Sequence, residues 1–291
     1  MTGVDFWRRV DEDLARQPMR PALELMPRHS TGEFSVYALS LTSVGPYRMF
    51  AYLSIPRGEG PFPAVLEAPR YGSVNNPPHW NDRLRYVVLT PMHRGQRLAD
   101  QPFAAEYPGL MTQGIEDPDR YVMRAIVADC LRAAEYLFFL DRVDPARIAV
   151  RGTDLAVLIA ARRPRFRALV VEAPYLHRID EARQATDAYP LEELNDYARC
   201  HADGEAALAR TLALFDPTAH APDVTATTVV GIGDGHHDNR EWLAPLLDAF
   251  PTPPEERVLT FRGGVDADWF DAWLAGQLGA APMSRFSAVA R

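Results

Sequence analysis

The chain has 291 residues, 47% apolar and 24% charged, a composition that excludes disordered and collagen-like chains. The formal charge is −8 and every basic residue other than histidine is arginine; that balance argues against nucleic acid as the partner, since phosphate binding needs a positive surface. No apolar run approaches the roughly 20 residues of a membrane span, Met1–Asp13 lacks the apolar core of a signal peptide, and Cys130 and Cys200 fit two reduced thiols of a cytoplasmic protein.

The first predicted element is an amphipathic helix over 4–17, with Val4, Trp7, Val10 and Leu14 on one face. Two strands follow, Phe34–Ser43 and Tyr47–Ile55, around the turn Val44-Gly45-Pro46. The short apolar runs Pro63–Ala68 and Tyr86–Thr90 suit strands covered on both faces. Asp117-Pro118 opens a long helix to Leu140. Strand Arg147–Arg151, helix Leu155–Arg162 and strand Ala168–Ala173 come next. Residues 178–215 are helical and polar, with Pro190 as a breaker. The chain closes with strand Thr227–Ile232, helix Trp242–Phe250, strand Arg257–Phe261 and helix Asp266–Leu278. Alternating strands and helices predict an α/β fold, a mostly parallel sheet with helices on both faces, and the leading strand pair is expected antiparallel at one edge. No linker or repeat divides the chain, so 1–291 reads as a single domain, with 178–215 as a helical insertion over the strand ends.

Ligands of such sheets bind at the carboxyl ends of the strands. The segments to inspect are therefore Pro69–Ser73, Met92–Gln96, Gly152–Ala156, Pro174–His177, Gly233–Asp238 and Gly263–Asp268. In Arg147–Ala156 a strand meets a helix through a sharp turn, and the small residues Gly152 and Ala156 flank Asp154. That is the steric pattern of a nucleophile elbow, whose apex is expected at positive φ. Asp154 also suits a plain helix N-cap.

The run His93-Arg94-Gly95-Gln96, then Pro108-Gly109-Leu110-Met111-Thr112, Gly114-Ile115 and Val143-Asp144-Pro145-Ala146-Arg147-Ile148, resembles the acetyl xylan esterase and cephalosporin-C deacetylase family. The resemblance runs from about Asp5 to Leu278 and implies the α/β-hydrolase fold. It places the family serine on Asp154 and the family acid on Asp234. The family histidine falls on Val265, in Phe261–Asp266, where no histidine is near. It places the oxyanion-binding backbone amides on Tyr71 and Leu155. It also implies a small-molecule substrate and, for many members, a homo-oligomer.

Two of three triad positions are thus changed. A carboxylate at position 154 is ionised without a base and attacks alkyl carbon, or it polarises water as a general base with a pKa raised by burial. His236 and His237, just after Asp234, together with His93 and His177, are the histidines on the rim; His237 is the candidate assistant, and His93 and His236 are candidate substrate contacts. Neither metal nor cofactor is expected: adjacent histidines do not face one ion, and Gly231-x-Gly233-x-Gly235 lacks phosphate-cradle spacing. Glu67, in an otherwise apolar strand, is expected to face the site or to pair with Arg94 or Arg70. Two readings stand side by side. One is an esterase-like hydrolase rebuilt around Asp154; the other is a hydrolytically inactive, ligand-binding, isomerase or lyase protein on the same fold.

Overall fold

The computed structural model describes residues 3–75, 77–172 and 174–284. Helix α1 (Gly3–Arg16) buries Phe6, Trp7, Val10 and Leu14. Val4, expected on that face, is exposed, and Phe6 takes its place against Trp7 and Phe215. One nine-stranded sheet follows. Its strands are β1 (Ala22–Leu25), β2 (Phe34–Thr42), β3 (Arg48–Pro56), β4 (Phe62–Glu67), β5 (Val87–Met92), β6 (Val143–Gly152), β7 (Ala168–Val171), β8 (Thr227–Ile232) and β9 (Glu255–Val258). Their spatial order is β1-β2-β3-β5-β4-β6-β7-β8-β9. The edge formed by β1, β2 and β3 is antiparallel and the remainder is parallel.

The parallel strands are connected through α2 (Trp80–Arg85), α3 (Val122–Phe138), α4 (Asp154–Arg162), α8 (Arg240–Ala249) and, from 179 to 212, the excursion α5 (Ile179–Gln184), α6 (Glu192–Cys200) and α7 (Gly204–Leu212). Helix α9 (Gly263–Leu278) ends the fold. Successive strand residues point to opposite faces. Leu66, Leu89, Val150 and Leu169 enter the large core with α1, α3, α4 and α8, while Val65, Val88, Ala149 and Val170 pack under Leu274 and Leu278 of α9. Both faces are covered, which is why these strands read as continuous apolar runs.

Several boundaries differ from the sequence expectation for local reasons. β1 and α2 were not anticipated; β1 has four residues, all exposed, and so no burial signature. Helix α3 starts at Val122 rather than Pro118, because the Asp117 carbonyl accepts the N–H groups of Arg120 and Tyr121 and closes a turn first. Strand β9 runs two to three residues earlier than expected, since the Asp266 carboxylate draws the N–H of Thr260 out of the strand line and Phe261 turns to φ +56°. Helix α9 consequently begins at Gly263 instead of Asp266. β7 ends at Val171, and the expected end, Ala173, lies outside the described residues.

Candidate functional site

The strand-to-helix bend between β6 and α4 has the close approach that the small residues require. A Cβ on Gly152 would stand 2.8 Å from the Ala68 Cβ on the loop after β4, and 3.6 Å from the Ala156 Cβ. The strained apex is not there. Among the described residues the non-glycine positions with positive φ are Arg20, Leu98, Arg178 and Phe261. Asp154 is instead the first residue of α4, and Thr153 is the N-cap.

The Asp154 side chain has no solvent exposure. Its Oδ2 accepts the N–H of Tyr175 at 2.8 Å and its Oδ1 the N–H of Leu176 at 3.0 Å, both on the segment after β7. Asp154 is thus neither the N-cap nor a group opening onto a cavity: it ties the 174–177 segment down over the bend. Burial pushes its pKa up to about 6, against the pull of the two amides toward the charged form.

The Arg94-Gly95-Gln96 element builds the neighbouring loop. Arg94 sends Nε and Nη2 to the Asp129 carboxylate of α3 at 3.0 and 2.8 Å, with Nη2 also on the Val44 carbonyl, and lies over the Tyr47 ring. Gln96 donates to the carbonyls of Arg70 and Gly72, both at 2.9 Å, and so fixes the loop carrying the Tyr71 amide. Leu155 is the second residue of α4, where helix N–H groups lack intrahelical partners. The Tyr71 hydroxyl donates to Glu193 of α6, whose other oxygen accepts the Met111 N–H at 2.8 Å. The helical excursion is therefore anchored to the Tyr71 loop.

The histidines are scattered. His93 is buried, with Nδ1 on the Arg94 carbonyl at 2.7 Å, and burial lowers its pKa to about 4. His177 is buried between Thr218 Oγ1 at 2.8 Å and the Trp242 carbonyl at 3.0 Å. Asp234 and His236 are exposed, and His237 is half-buried. His236 and His237 lie edge-on at 5.0 Å beside Trp242, and burial lowers the His237 pKa. The Asp238 carboxylate sits where side chains on Gly233 or Gly235 would clash, which explains those glycines without a phosphate. Val265 lies in the first turn of α9. Among the described residues no three His, Cys, Asp or Glu side chains converge as a metal site.

The open space lies on the α9 side of the bend. A cleft of about 700 Å³ has Glu67, Arg151 and Gly152 on its floor, Arg70 and Glu172 at its mouth and Phe270 on its wall. Its lining includes none of Asp154, Leu155, Asp234, His236 or His237. Arg151 donates Nε to Glu67 at 2.9 Å and Nη2 to Glu67 and to Asp82 of α2 (2.6 Å). Thr90 holds the other Glu67 oxygen at 2.8 Å. Glu67 thus faces the cleft as expected, but its arginine is Arg151 and not Arg94 or Arg70. Arg70 pairs with Glu172 at 2.9 Å. Sequence reading missed Arg151 as a site residue. Its signal was a charge inside an apolar strand, Arg-Ile-Ala-Val-Arg beside Pro-Ala-Val-Leu-Glu.

A nine-stranded mostly parallel sheet with a strand-to-helix bend at its centre defines the α/β-hydrolase class. The chain belongs to the acetyl xylan esterase (AXE1) family, whose model matches residues 4–237. It is 25% identical over 187 residues, 59% of this chain, to the acetyl esterase Axe7A of Xylanibacter ruminicola, and spans 43% of that protein's length. Acetyl xylan esterase 1 of Thermoanaerobacterium sp. superimposes with a TM-score of 0.78, 21% identity and coverage of 94% of this chain and 93% of that one. The acetyl xylan esterase of Paenibacillus sp. R4 gives 0.77, 22%, 92% and 93%. Among the described residues no helix is long and apolar enough to cross a membrane.

Proposed function

We propose that this chain keeps its family's architecture without the family's serine chemistry, and holds a small polar molecule at the strand ends without hydrolysing it. One observation carries this reading. At the position where the resemblance expects serine, the Asp154 carboxylate is fully buried with both oxygens on the Tyr175 and Leu176 amides. A nucleophile or base has to reach the reacting atom. The second support is Val265 on α9, where the family histidine is expected, so that position offers no imidazole to move the proton. The cleft floored by Arg151 and Glu67 offers fixed donors and acceptors to hydroxyl or carbonyl groups, and acetylated xylan fragments, after the acetyl xylan esterases of the same fold, are the ligands to try.

The test is p-nitrophenyl acetate turnover together with thermal unfolding in acetylated xylo-oligosaccharide. The expected result is no turnover above buffer. The sugar is expected to raise Tm in the wild type but not in a variant carrying both Arg70→Ala and Glu172→Ala at the mouth. Turnover that Asp154→Asn abolishes overturns the proposal.

A second reading rests on the Asp154 pKa near 6, which suits a general base at neutral pH. Displacement of the 174–177 segment would free one oxygen to polarise water. The Tyr71 and Leu155 amides would then hold the oxyanion of a small ester, with Asp234 and His237 assisting from the rim. The same turnover measurement decides between the two.

A further inference from the structure

Phe261, between β9 and α9, lines the strand-end cleft together with Phe270. It is 59% exposed and belongs to none of the core clusters of the described residues. Its backbone stands at φ +56°, in the left-handed region that a Cβ disfavours. The neighbours impose that conformation. The Thr260 N–H donates to both Asp266 oxygens, at 3.1 and 3.0 Å, and the Thr260 hydroxyl donates to Oδ1 at 3.1 Å. The same hydroxyl accepts the Arg262 N–H at 3.3 Å, so Phe261 is clasped from both sides. A lone exposed phenylalanine needs no explanation. One held in a strained conformation that gains its ring no burial, on the lining of a cleft, points to a contact made by that ring. A glycine would take this backbone conformation without strain, but it would carry no ring.

Charge on the lining is matched. Arg151 holds Glu67 and Arg70 holds Glu172, while Asp266 and Asp271 are held by Arg257 and Arg85 from outside the lining. Each of these carboxylates and guanidinium groups therefore has an opposite charge beside it, and the cleft favours a neutral ligand over an ion. Its fixed oxygens and N–H groups still offer hydrogen bonds to hydroxyls. The cleft thus combines an exposed phenyl face with a polar, charge-matched floor.

From this arrangement we infer that Phe261 is a specificity-determining residue of the strand-end cleft, the platform on which one ring of a neutral hydroxylated ligand, a pyranose, lies face down. The inference rests on the reading that this cleft holds a small polar molecule, and adds what selects that molecule. The face of an aromatic ring is electron-rich and attracts the C–H groups that a pyranose presents on its own face. The hydroxyls of the pyranose lie around its edge, free to bond to the floor. An open-chain polyol offers the hydroxyls without the face.

The experiment is calorimetric titration of the full chain with acetylated xylo-oligosaccharide and, separately, with xylitol, an open-chain polyol. The wild type is expected to bind the oligosaccharide saturably and xylitol far more weakly. Phe261→Ala is expected to weaken oligosaccharide binding about tenfold, and Phe261→Trp to keep it within a few-fold. Thermal unfolding without ligand gives the second readout. Phe261→Gly relieves the strain, so its Tm is expected to hold or rise while its affinity falls as in Phe261→Ala. A merely structural role for the ring predicts the reverse, a lower Tm with affinity unchanged, and that result overturns the inference. Oligosaccharide binding that Phe261→Ala leaves intact, or xylitol bound as tightly as the oligosaccharide, overturns this inference alone. No binding of the oligosaccharide by the wild type overturns the reading of the cleft and this inference with it.

Discussion

Asp154 does work at the start of α4 that a hydroxyl there would not. A serine hydroxyl at the start of α4 would be one weak acceptor; a carboxylate supplies two oxygens, and both take backbone N–H groups 21 and 22 residues further on. Asp154→Ala leaves both amides without acceptors in a buried place and is expected to cost about 3 kcal/mol, read as a loss in chemical denaturation. Asp154→Asn separates charge from shape. The folded pKa, near 6, exceeds the usual carboxylate value of 3.8, so between those values the native state binds more protons than the unfolded chain. This group's contribution is thus most favourable below about pH 4 and is lost as pH rises through 6, by about 3 kcal/mol. Denaturation midpoints of wild type and Asp154→Asn between pH 4 and 7 are expected to diverge accordingly, the wild type gaining on the variant as pH falls. Parallel pH profiles would remove the charge from the account.

At the scale of elements, the bend from β6 to α4 depends on close approach and on the positive φ of Gly152, +156°. Gly152→Ala drives a methyl against Ala68, and is expected to destabilise by about 1–3 kcal/mol. Ala68→Gly is expected to restore part of that loss, and a double-mutant cycle with no coupling would contradict the contact. The glycine, the small residue after it and the helix were legible in the sequence, because backbone proximity imposes small side chains at fixed offsets. The φ at the apex was not, because it depends on whether the side chain reaches outward or back under the 174–177 segment. Likewise Arg94 and Gln96 stood out as a motif, but their work, one on α3 and the other on the Tyr71 loop, is set by partners 35 and 26 residues away.

Across the whole molecule, charge is concentrated beneath the strand-end cleft. Arg151 joins Glu67 to Asp82, and Asp82 and Asp271 share Arg85. Asp271 also accepts the Met283 N–H, so the network ties α2, the sheet and α9 to the residues after α9. Removing one member strands the others: Arg151→Met is expected to cost about 3–5 kcal/mol, whereas the same change with Glu67→Gln and Asp82→Asn costs less, by equilibrium unfolding.

Amino-acid order alone determined the alternation of elements, the antiparallel edge, the strand ends where side chains gather and the family resemblance, because apolar periodicity and turn chemistry are local. Tertiary structure decided which face of the bend is open, that Asp154 turns inward, and that Arg151 rather than Arg94 or Arg70 meets Glu67. Those outcomes depend on which distant groups fold into reach of a buried charge, and a charge withdrawn from water takes the partners that the fold brings to it.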